Sequence, residues 1–284
     1  MKMAIAIQCH KNVEQLNRLI EFFRDDEIDI YIHVDKKSDI KQKIKMIKNL
    51  YILEESIDVR WGDFSIVESA LKLFERIKES KIDYEYIHLI SGQDYPIKKL
   101  EEFKRFFVDN NKQYVEYAKL PFNTLVRAGV DRYQVYYPRW MIDRPENMKK
   151  RIIRVAYREL ILRTRIFKRK TDFIEDFYYG SAWFSITGDC MKFILSYIEN
   201  NKKYIEFFKN SIYPDEMFFQ TIIMNSKYSK SIVNNNLRYI DWSEKKASPK
   251  TLQYNDIDKA LKSKSYFARK IDSVQLIDYI EDNL

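Results

Sequence analysis

The residues with the clearest chemical potential follow a short apolar segment in the first third of the chain. Tyr86–Ile90 is apolar and β-prone, which predicts a buried strand, and it breaks abruptly into the polar segment 91–96. Gly92 permits a turn that a residue with a Cβ atom would resist. Ligands of open α/β sheets bind just outside the carboxyl ends of strands, so Gln93 and Asp94 are candidates to bind a polar ligand. An ordinary strand exit explains the pattern equally well.

A second candidate follows a strand closer to the N-terminus. Ile28–Val34 predicts this strand, and Asp35 after it could accept hydrogen bonds from a ribose or a uracil edge, or could cap the next helix. With a strand at Ala4–Cys9 and a helix between the two, this βαβ opening favours a parallel, nucleotide-binding sheet. The chain contains neither G-x-G-x-x-G nor G-x-x-x-x-G-K-[ST], which disfavours the dinucleotide fingerprint and the P-loop.

The elements that position these residues can be predicted along the chain. Apolar patterning predicts further strands at 59–62, 113–117, 177–186 and 237–243, and helices at 64–78, 100–107 and 217–224. The helix predicted at 217–224 is preceded by Tyr213–Glu216. A proline and early acidic residues are favourable at a helix start, so a structural role alone explains this segment. No linker, repeat or low-complexity tract interrupts the chain, and we expect one domain over residues 1–284.

Six segments of the chain resemble the core-2/I-branching β-1,6-N-acetylglucosaminyltransferase family and follow one another in the order that the family has. This family also contains peptide O-xylosyltransferases and many bacterial members. Each segment is only moderately specific, but their joint order from residue 4 to residue 272 makes chance agreement improbable. The resemblance implies a bacterial-type member with an α/β, GT-A-like nucleotide-sugar-binding fold, whose mostly parallel central sheet is flanked by helices. The matching segments include 33–37, 59–78, 86–98, 180–184, 214–221 and 267–272.

The resemblance also implies roles for individual residues. Glu216 matches the catalytic base of an inverting transfer, which needs one base beside the acceptor hydroxyl group. Core packing is an equal alternative for Trp61, and Lys246 is the alternative to Lys250. The implied nucleotide site consists of Gln8, Cys9, His10, Asp35, Trp61, Lys250, Arg269 and Lys270. The implied sugar and acceptor site consists of Gln93, Asp94, Glu116, Arg132, Ser181, Trp183 and Trp242.

The resemblance implies a reaction without a divalent metal or another cofactor. Most GT-A enzymes hold a metal ion on Asp-x-Asp, but the plain Asp-x-Asp of this chain, at 256–258, lies at a predicted helix start near the C-terminus. Lys270 with Lys250, and Arg269 beside them, can supply the positive charge for the leaving diphosphate instead. The three histidines and two cysteines are scattered and form no zinc pattern.

The expected reaction is transfer of N-acetylglucosamine from a UDP-sugar to a hydroxyl group of a glycan or lipid-linked glycan, in surface polysaccharide or glycan synthesis. Xylose, glucose and glucuronic acid are the alternative sugars. Two other classes are a basic nucleic-acid-binding protein, suggested by the net charge of +8, and an inactive sugar- or nucleotide-binding relative. The chain has no recognised nucleic-acid-binding motif, so we expect no nucleic-acid partner, and intact Glu216 and Lys270 argue against the inactive relative.

A basic segment predicts a helical insertion at about 139–170. Between residues 144 and 170, eleven Lys or Arg residues alternate with aliphatic ones, against two glutamates. This pattern is typical of a helix that docks on an anionic membrane, and also of a solvated surface helix. No apolar run approaches the ~20 residues that span a bilayer, and no signal peptide is evident. Cys9 and Cys190 indicate buried thiols in a reducing compartment, so we expect a cytoplasmic protein, peripheral at the inner face of the plasma membrane.

Overall fold

The computed structural model describes residues 1–142, 148–164, 168–246 and 248–284. Within them the strands are β1 (Met3–Cys9), β2 (Ile28–Val34), β3 (Leu50–Ile52), β4 (Tyr86–Ser91), β5 (Asp94–Pro96), β6 (Gln113–Tyr114), β7 (Ala118–Lys119), β8 (Tyr178–Tyr179), β9 (Phe184–Thr187), β10 (Ile232–Val233), β11 (Arg238–Ile240) and β12 (Phe267–Arg269). The α-helices are α1 (Val13–Phe22), α2 (Ser65–Glu79), α3 (Leu100–Phe107), α4 (Val130–Gln134), α5 (Arg139–Ile142), α6 (Met148–Thr164), α7 (Gly188–Asn200), α8 (Lys202–Phe208), α9 (Phe218–Met224), α10 (Tyr254–Leu261) and α11 (Val274–Asp282).

Seven strands form the central sheet, in the order β10-β6-β9-β4-β1-β2-β3. Every neighbouring pair is parallel except the two that β9 makes with β4 and β6. Nearly all residues of β1, β2 and β4 are buried, as expected of parallel strands that helices cover on both faces. The predicted α/β fold with a mostly parallel central sheet is therefore confirmed.

Two hydrophobic clusters cover the two faces of this sheet, because successive side chains of a strand point to opposite sides. Met3, Ile5 and Ile7 of β1 belong to the cluster that contains α1 and α11. Ala4 and Ala6 belong to the cluster that contains α2, α7 and α9. Burial of each large aliphatic side chain contributes roughly 1.5–3 kcal/mol, so this packing holds the ends of the central strands at one edge.

A second sheet, β11-β12-β5, begins where β4 ends. Gly92 lies in the turn between β4 and β5, where a Cβ atom would come within 2.8 Å of the Cys9 Cβ atom. Strand β12 runs antiparallel to β5 and places Arg269 opposite Asp94. This pairing brings residues from near the C-terminus to the edge of the sheet where β1 and β4 end.

The prediction of a strand at 59–62 is wrong, and the outer strand of the sheet is β3. Trp61 and Gly62 lie in a turn, in which Gly62 has a φ of +77°. The backbone N–H of Tyr213 donates to the Gly62 carbonyl oxygen at 3.0 Å, and a Cβ atom on Gly62 would lie 3.0 Å from the Tyr213 ring. A distant segment of the chain therefore shapes this turn.

Three other predicted strands are shorter than expected. The strand predicted at 113–117 ends with β6, because the Asn234 side chain takes both backbone groups of Tyr117: Oδ1 accepts from its N–H at 2.8 Å and Nδ2 donates to its carbonyl oxygen at 3.0 Å. The region 177–186 splits into β8 and β9, and 237–243 is reduced to β11.

Pro214–Glu216 forms a 3₁₀ turn, and α9 begins only at Phe218. The prediction that this segment is the first turn of an α-helix is therefore wrong. Tyr213 has a φ of 52°, and Met217 a φ of −132°, so the backbone leaves the helical region on both sides of the turn. Consequently a helix dipole is not what balances the charge of Glu216.

The basic segment 139–170 contains α5 and α6, while its residues 143–147 and 165–167 lie outside the described residues. Ile161 of α6 is buried in a small cluster with Tyr137 of the preceding segment. Ile152, Ile153, Val155 and Leu160 of the same helix are exposed.

Cys9 and Cys190 are buried and free, as predicted. Burial, more than the nearby charge of Asp35, raises the pKa of the Cys9 thiol to about 12. Among the described residues, the helices include none with both the length and the apolar composition to cross a membrane.

Candidate active site

The carboxyl ends of β1, β2 and β4 meet at one edge of the central sheet. The backbone N–H of Asp35 donates to the Cys9 carbonyl oxygen at 2.8 Å, and that of Gly92 donates to the Gln8 carbonyl oxygen at 2.9 Å. His10 follows directly in the chain. Four residues predicted for the nucleotide site are thus neighbours at the edge where open α/β sheets bind ligands.

Two of these side chains are already engaged within the protein. Gln8 Nε2 donates to the Ile66 carbonyl oxygen at 2.8 Å and to Ser69 Oγ at 2.5 Å. Asp35 Oδ1 accepts from the backbone N–H of Lys37 at 2.9 Å, and the Lys37 ammonium lies 3.3 Å from it. Both side chains are therefore held in place before any ligand binds.

Asp94 is completely buried, so the predicted direct contact with a sugar does not fit its position. Its carboxylate accepts hydrogen bonds from the Arg269 guanidinium at 2.7 Å and from the backbone N–H of Ser91 at 3.0 Å. Nε of Arg238, also buried, lies 3.8 Å from it. Burial lowers the pKa of Arg238 to about 10, although the charge of Asp94 opposes this. Asp94 thus holds two arginines in place.

Several cationic side chains lie close together where β12 ends. Lys270 forms no ion pair within the described ranges, and Lys11 pairs with Asp272 at 2.6 Å. Burial, and then the charges of Arg269 and Lys11, lower the pKa of Lys270. Burial and Lys11 likewise lower the pKa of His10. An anion bound among these groups would relieve their mutual repulsion.

Gln93 lies between this cationic group and β4. Its carbonyl oxygen accepts from the backbone N–H of Ile271 at 2.9 Å, which fixes the segment after Lys270. Its Nε2 is buried without a hydrogen-bond partner among the described residues. A buried amide donor without a partner is costly, so a ligand oxygen at this position would be stabilised.

The segment that contains Lys250 lies beside that of Lys270, since the backbone N–H of Leu252 donates to the Lys270 carbonyl oxygen at 2.9 Å. The Lys250 ammonium, however, lies 2.7 Å from Asp256 and 3.7 Å from Asp241. The hydrogen bond to Asp256 raises the pKa of Lys250. A diphosphate would have to draw Lys250 away from these carboxylates.

The alternative cation, Lys246, pairs with Glu244 at 2.8 Å. Trp242 is on the same stretch and is about half exposed. The Asp-x-Asp at 256–258 has structural contacts: its first carboxylate accepts from the backbone N–H of Gln253, and its second accepts from the Tyr279 hydroxyl group. Among the described residues, no cluster of three His, Cys, Asp or Glu side chains could hold a metal ion.

Glu216 is held by an arginine on another element. Arg132 of α4 donates to Glu216 Oε2 at 2.5 Å, and its guanidinium lies over the rings of Tyr179 and Tyr213 at 4.8 and 5.1 Å. Burial acts to lower the pKa of Arg132, but the charge of Glu216 and the hydrogen bond to it raise it overall. The pair fixes a carboxylate that is one-third exposed, which suits a base that must meet a hydroxyl group.

Asp215, the neighbouring carboxylate, faces the interior. Its Oδ1 is buried and has no hydrogen-bond partner in the part of the chain that the structure describes. Burial, and then the charge of Glu216, raise the pKa of Asp215 to about 7. Two adjacent carboxylates therefore have opposite environments, and within the described part of the chain only Glu216 of the two forms an ion pair.

A cavity of about 420 Å³ lies beside this pair. Glu116, predicted for the acceptor site, lines it and accepts from Asn236 Nδ2 at 2.6 Å. Gly180 also lines it, and its N–H donates to the Glu216 carbonyl oxygen at 2.8 Å. A Cβ atom on Gly180 would lie 1.8 Å from the Glu116 carbonyl oxygen, so only glycine allows the two segments to approach this closely.

The remaining predicted residues lie around these two groups. Arg269 lies over the Trp183 ring at 4.9 Å, which joins Trp183 to the cationic group. Ser181 Oγ accepts from the backbone N–H of Trp183 at 3.2 Å. Trp61 is 44% exposed and packs edge-on against the Tyr213 ring at 5.0 Å, so it contacts the segment before Glu216.

The structure therefore brings together two groups: the strand ends with Arg269 and Lys270, and Glu116 with Arg132 and Glu216. The sequence interpretation missed several residues that shape them, namely Tyr117, Phe122, Tyr179, Tyr213, Asn234, Asn235, Asn236 and Arg238. Two signals were available: three consecutive asparagines, and an arginine inside an apolar strand segment, which needs a buried partner.

Comparison with protein families identifies the family of this chain. The model of the Core-2/I-Branching enzyme family matches residues 3–264. This chain belongs to that family. The match confirms the predicted family.

Xylosyltransferases are among the relatives of this chain. Xylosyltransferase sqv-6 of Caenorhabditis elegans is 25% identical over 303 residues, covering 95% of this chain and 34% of the relative. Xylosyltransferase 2 of Rattus norvegicus is 23% identical over 254 residues, covering 86% and 27%. The chain thus spans about a third or less of the length of these relatives.

Two solved structures are similar to this chain at 13% sequence identity. The apo structure of WbbM, a bifunctional glycosyltransferase, has a TM-score of 0.44 and covers 96% of this chain and 46% of its own. The crystal structure of S. aureus TarS has a TM-score of 0.30 and covers 40% and 21%.

From the environment of Asp215 we predict how the stability of the folded protein depends on pH. Because its folded-state pKa is raised from 3.8 to about 7, the folded protein binds more protons than the unfolded protein between these values. The free energy of unfolding should therefore fall as the pH rises through this window. Between pH 4 and pH 7.5 the free energy of unfolding of the wild type should fall, relative to that of Asp215→Asn, by on the order of a few kcal/mol. Urea unfolding at each pH measures this difference. Asp26→Asn, at an exposed carboxylate, is the control, and parallel wild-type and Asp215→Asn curves would contradict the prediction.

Proposed function

We propose that this chain is an inverting glycosyltransferase that uses a UDP-sugar as donor and a glycan or lipid-linked glycan as acceptor. The observation that carries the proposal is the separation of charge in the site: Arg269 and Lys270 form one group, and the carboxylates of Glu116 and Glu216 form the other. A single displacement at C1 needs both a base at the incoming hydroxyl group and positive charge on the departing diphosphate.

In the proposed reaction, Glu216 takes the proton of the acceptor hydroxyl group while the hydroxyl oxygen forms its bond to C1 of the donor sugar. The bond from C1 to the diphosphate oxygen breaks on the opposite face, and UDP leaves with the electron pair. Lys270 and Arg269 stabilise the negative charge on the diphosphate. Arg132 orients the Glu216 carboxylate and leaves the reacting side of it accessible.

The donor sugar in this proposal is N-acetylglucosamine, and the product belongs to surface polysaccharide or glycan synthesis. The names of the relatives favour xylose as the second candidate; glucose and glucuronic acid are further alternatives. The proposal includes no divalent metal and no other cofactor, since lysine and arginine supply the positive charge. It also includes no nucleic-acid partner.

We further propose that α6 docks the enzyme on an anionic membrane, at the cytoplasmic face. Ile152, Ile153, Ala156 and Leu160 share one face by helical spacing, and all four are exposed. The opposite face of α6 carries Ile161, which is buried. An exposed apolar face on a strongly basic helix is the pattern that gives interfacial helices their affinity for anionic lipids.

Glu216→Gln should lower turnover by at least ~100-fold, because the amide keeps the shape of the side chain but cannot accept the proton. Turnover is measured as UDP release from a panel of UDP-sugars with acceptor present, and UDP affinity should stay nearly unchanged. Asp215→Asn is the matched control at the adjacent carboxylate. If Glu216→Gln retained most activity and Asp215→Asn abolished it in a folded protein, the assignment of the base would be wrong.

UDP should bind in the presence of EDTA, because protein cations replace a metal in this proposal. Calorimetry should show similar affinity with and without the chelator, and Lys270→Ala should weaken binding several-fold or more, since charge-assisted bonds to phosphate are strong. Lys43→Ala, at an exposed lysine paired with Asp39, is the control. Complete loss of UDP affinity on chelation would exclude a metal-independent site.

The enzyme should float with anionic liposomes and not with neutral ones. Replacing Ile152 and Ile153 by serine should abolish flotation, because it removes half of the exposed apolar face without changing charge. The matched control replaces Ile82 and Val108, exposed apolar residues on other elements. Equal flotation with neutral liposomes, or none with anionic ones, would contradict membrane docking.

A further inference from the structure

Helix α6 lies against the two segments that hold Glu216. Ile161 of α6 is buried together with Ile212, two residues before the 3₁₀ turn that carries Glu216. Tyr213, whose ring stacks on Arg132, packs against the same cluster. Helix α6 also contacts α4, the helix that carries Arg132. It therefore borders both the turn that carries the carboxylate and the arginine that binds it.

A buried carboxylate, Asp131, lies between α4 and α6. It is 6% exposed and immediately precedes Arg132. Nη1 of Arg158, in α6, lies 3.9 Å from Asp131 Oδ2. Burial raises the pKa of Asp131. The charges of three arginines oppose this, in the order Arg158, Arg132 and Arg127. Of these cations, Arg158 therefore does most to keep Asp131 ionised.

A second ion pair joins α6 to the chain just before α4. Nε of Arg127, in the 3₁₀ turn at Val126–Gly129, donates to Glu159 Oε1 at 3.0 Å. This hydrogen bond lowers the pKa of Glu159. The same oxygen lies 3.5 Å from Arg158 Nε. Charges of opposite sign therefore alternate across the contact between α6 and the segment of α4.

Asp131 and Glu216 compete for one guanidinium. Arg132 follows Asp131 in the chain, and its Nη1 donates to Glu216 Oε2 at 2.5 Å. A buried carboxylate without a cation is costly, so Asp131 would attract Arg132 if no other positive charge were near. Arg158 supplies that charge from α6. Arg132 can then bind Glu216.

Among the described residues, the other titratable groups that face the two carboxylates carry no positive charge. They are two phenols and two carboxyl groups: Tyr137 beside Asp131, and Tyr179, Glu116 and Asp215 beside Glu216. Arg127, the third guanidinium near Asp131, is bonded to Glu159. Within the described part of the chain, this leaves Arg158 and Arg132 to balance the two carboxylates.

From these contacts we propose that Asp131 and Arg158 are positioning residues for the base: Arg158 of α6 binds Asp131 and thereby leaves Arg132 to hold Glu216. The proposal rests on the proposed function, since it takes Glu216 as the base. It makes turnover depend on the contact between α4 and α6, a helix that lies outside the site itself.

The first test removes the charge of Arg158 and keeps the length of its side chain. In Arg158→Met, kcat for UDP release from UDP-N-acetylglucosamine or UDP-xylose, with water as the acceptor, should fall several-fold, because Asp131 draws Arg132 away from Glu216. KM and UDP affinity should stay nearly unchanged. Arg158→Lys keeps the charge and should restore most of the turnover. Arg163→Met, on the same helix at a side chain that is 81% exposed, is the control and should change neither quantity.

The second test follows Glu216 directly and needs no turnover. The protein is labelled with ¹³C at the glutamate side-chain carboxyl carbon, and the Glu216 signal is assigned from its absence in Glu216→Gln. Arg158→Met should move the titration of this signal to higher pH, because a carboxylate that loses its cation binds a proton more tightly. Asp131→Asn removes the competitor for Arg132, so it should move the titration to lower pH.

Two combined variants show whether the effect passes through Arg132. With both Asp131→Asn and Arg158→Met, the titration should lie close to that of the wild type, because neither the competitor nor its partner remains. In an Arg132→Met background, Arg158→Met should have little further effect, since two residues that act through one contact are not additive. Asp26→Asn, at an exposed carboxylate, is the control for the aspartate substitution.

A Glu216 titration that Arg158→Met leaves unchanged in a folded protein would overturn the proposal. So would an effect of the same size in the Arg132→Met background, which would mean that Arg158 acts only as a distant charge. If urea unfolding showed that Arg158→Met does not fold, the direction of the shift in Asp131→Asn would decide. Turnover that follows the folded fraction, with Arg158→Lys no better than Arg158→Met, would give the pair a structural role only. Failure of the proposed function is distinguishable, because the wild type would then neither bind UDP nor release it, while the titration would still report on the ion pairs.

Discussion

The buried carboxylate of Asp94 is the interaction on which both parts of the site depend. It accepts from Arg269 of β12 and lies near Arg238 of β11, while Arg238 also donates to the Leu89 carbonyl oxygen in β4. One buried anion thus joins the small sheet to the central sheet. Removing one partner from such a buried pair typically costs about 3–5 kcal/mol, because the remaining charge is left uncompensated.

Through its contacts with Arg269 and Arg238, Asp94 positions two different parts of the site. Arg269 lies over Trp183 and precedes Lys270, so its position determines where the cationic group begins. Arg238 donates to the Asn236 carbonyl oxygen, and Asn236 in turn holds Glu116. The cationic group and the cavity wall are therefore both positioned by Asp94, although neither contains it.

Asp215 and Glu216 are neighbours in the chain, but their carboxylates lie in different electrostatic environments. The 3₁₀ turn at Pro214–Glu216 directs Asp215 inward, where its charge is desolvated, and Glu216 toward Arg132. The rings of Tyr179 and Tyr213 stack on the guanidinium and keep it in place. Burial, and then the charge of Glu216, raise the pKa of Asp215 to about 7.

Close backbone approach is the second requirement of the site. Gly92 brings the turn after β4 against Cys9, and Gly180 brings the segment of Glu216 against that of Glu116. At both positions a Cβ atom would overlap a neighbouring segment. The scarcity of glycine in this chain, five residues in all, makes these two positions informative.

The sequence by itself determined the central strands β1, β2 and β4, the helices α2 and α3, and the types of the site residues. Strand β2 and helix α3 coincide with their predicted limits, because a continuous apolar run and a helical apolar face are local patterns. The family could also be inferred from ordered short segments, and the match over residues 3–264 confirms it.

Only the tertiary structure decided which residues meet. The turn at Gly62 depends on Tyr213, the early end of β6 depends on Asn234, and the orientation of Glu216 depends on Arg132. The same holds for Asp94, whose polar turn indicated a ligand contact until burial with two arginines gave it a structural role. Each of these is a contact between segments far apart in the chain, and such contacts leave no periodic signal because neither segment needs a special pattern until the other is packed against it.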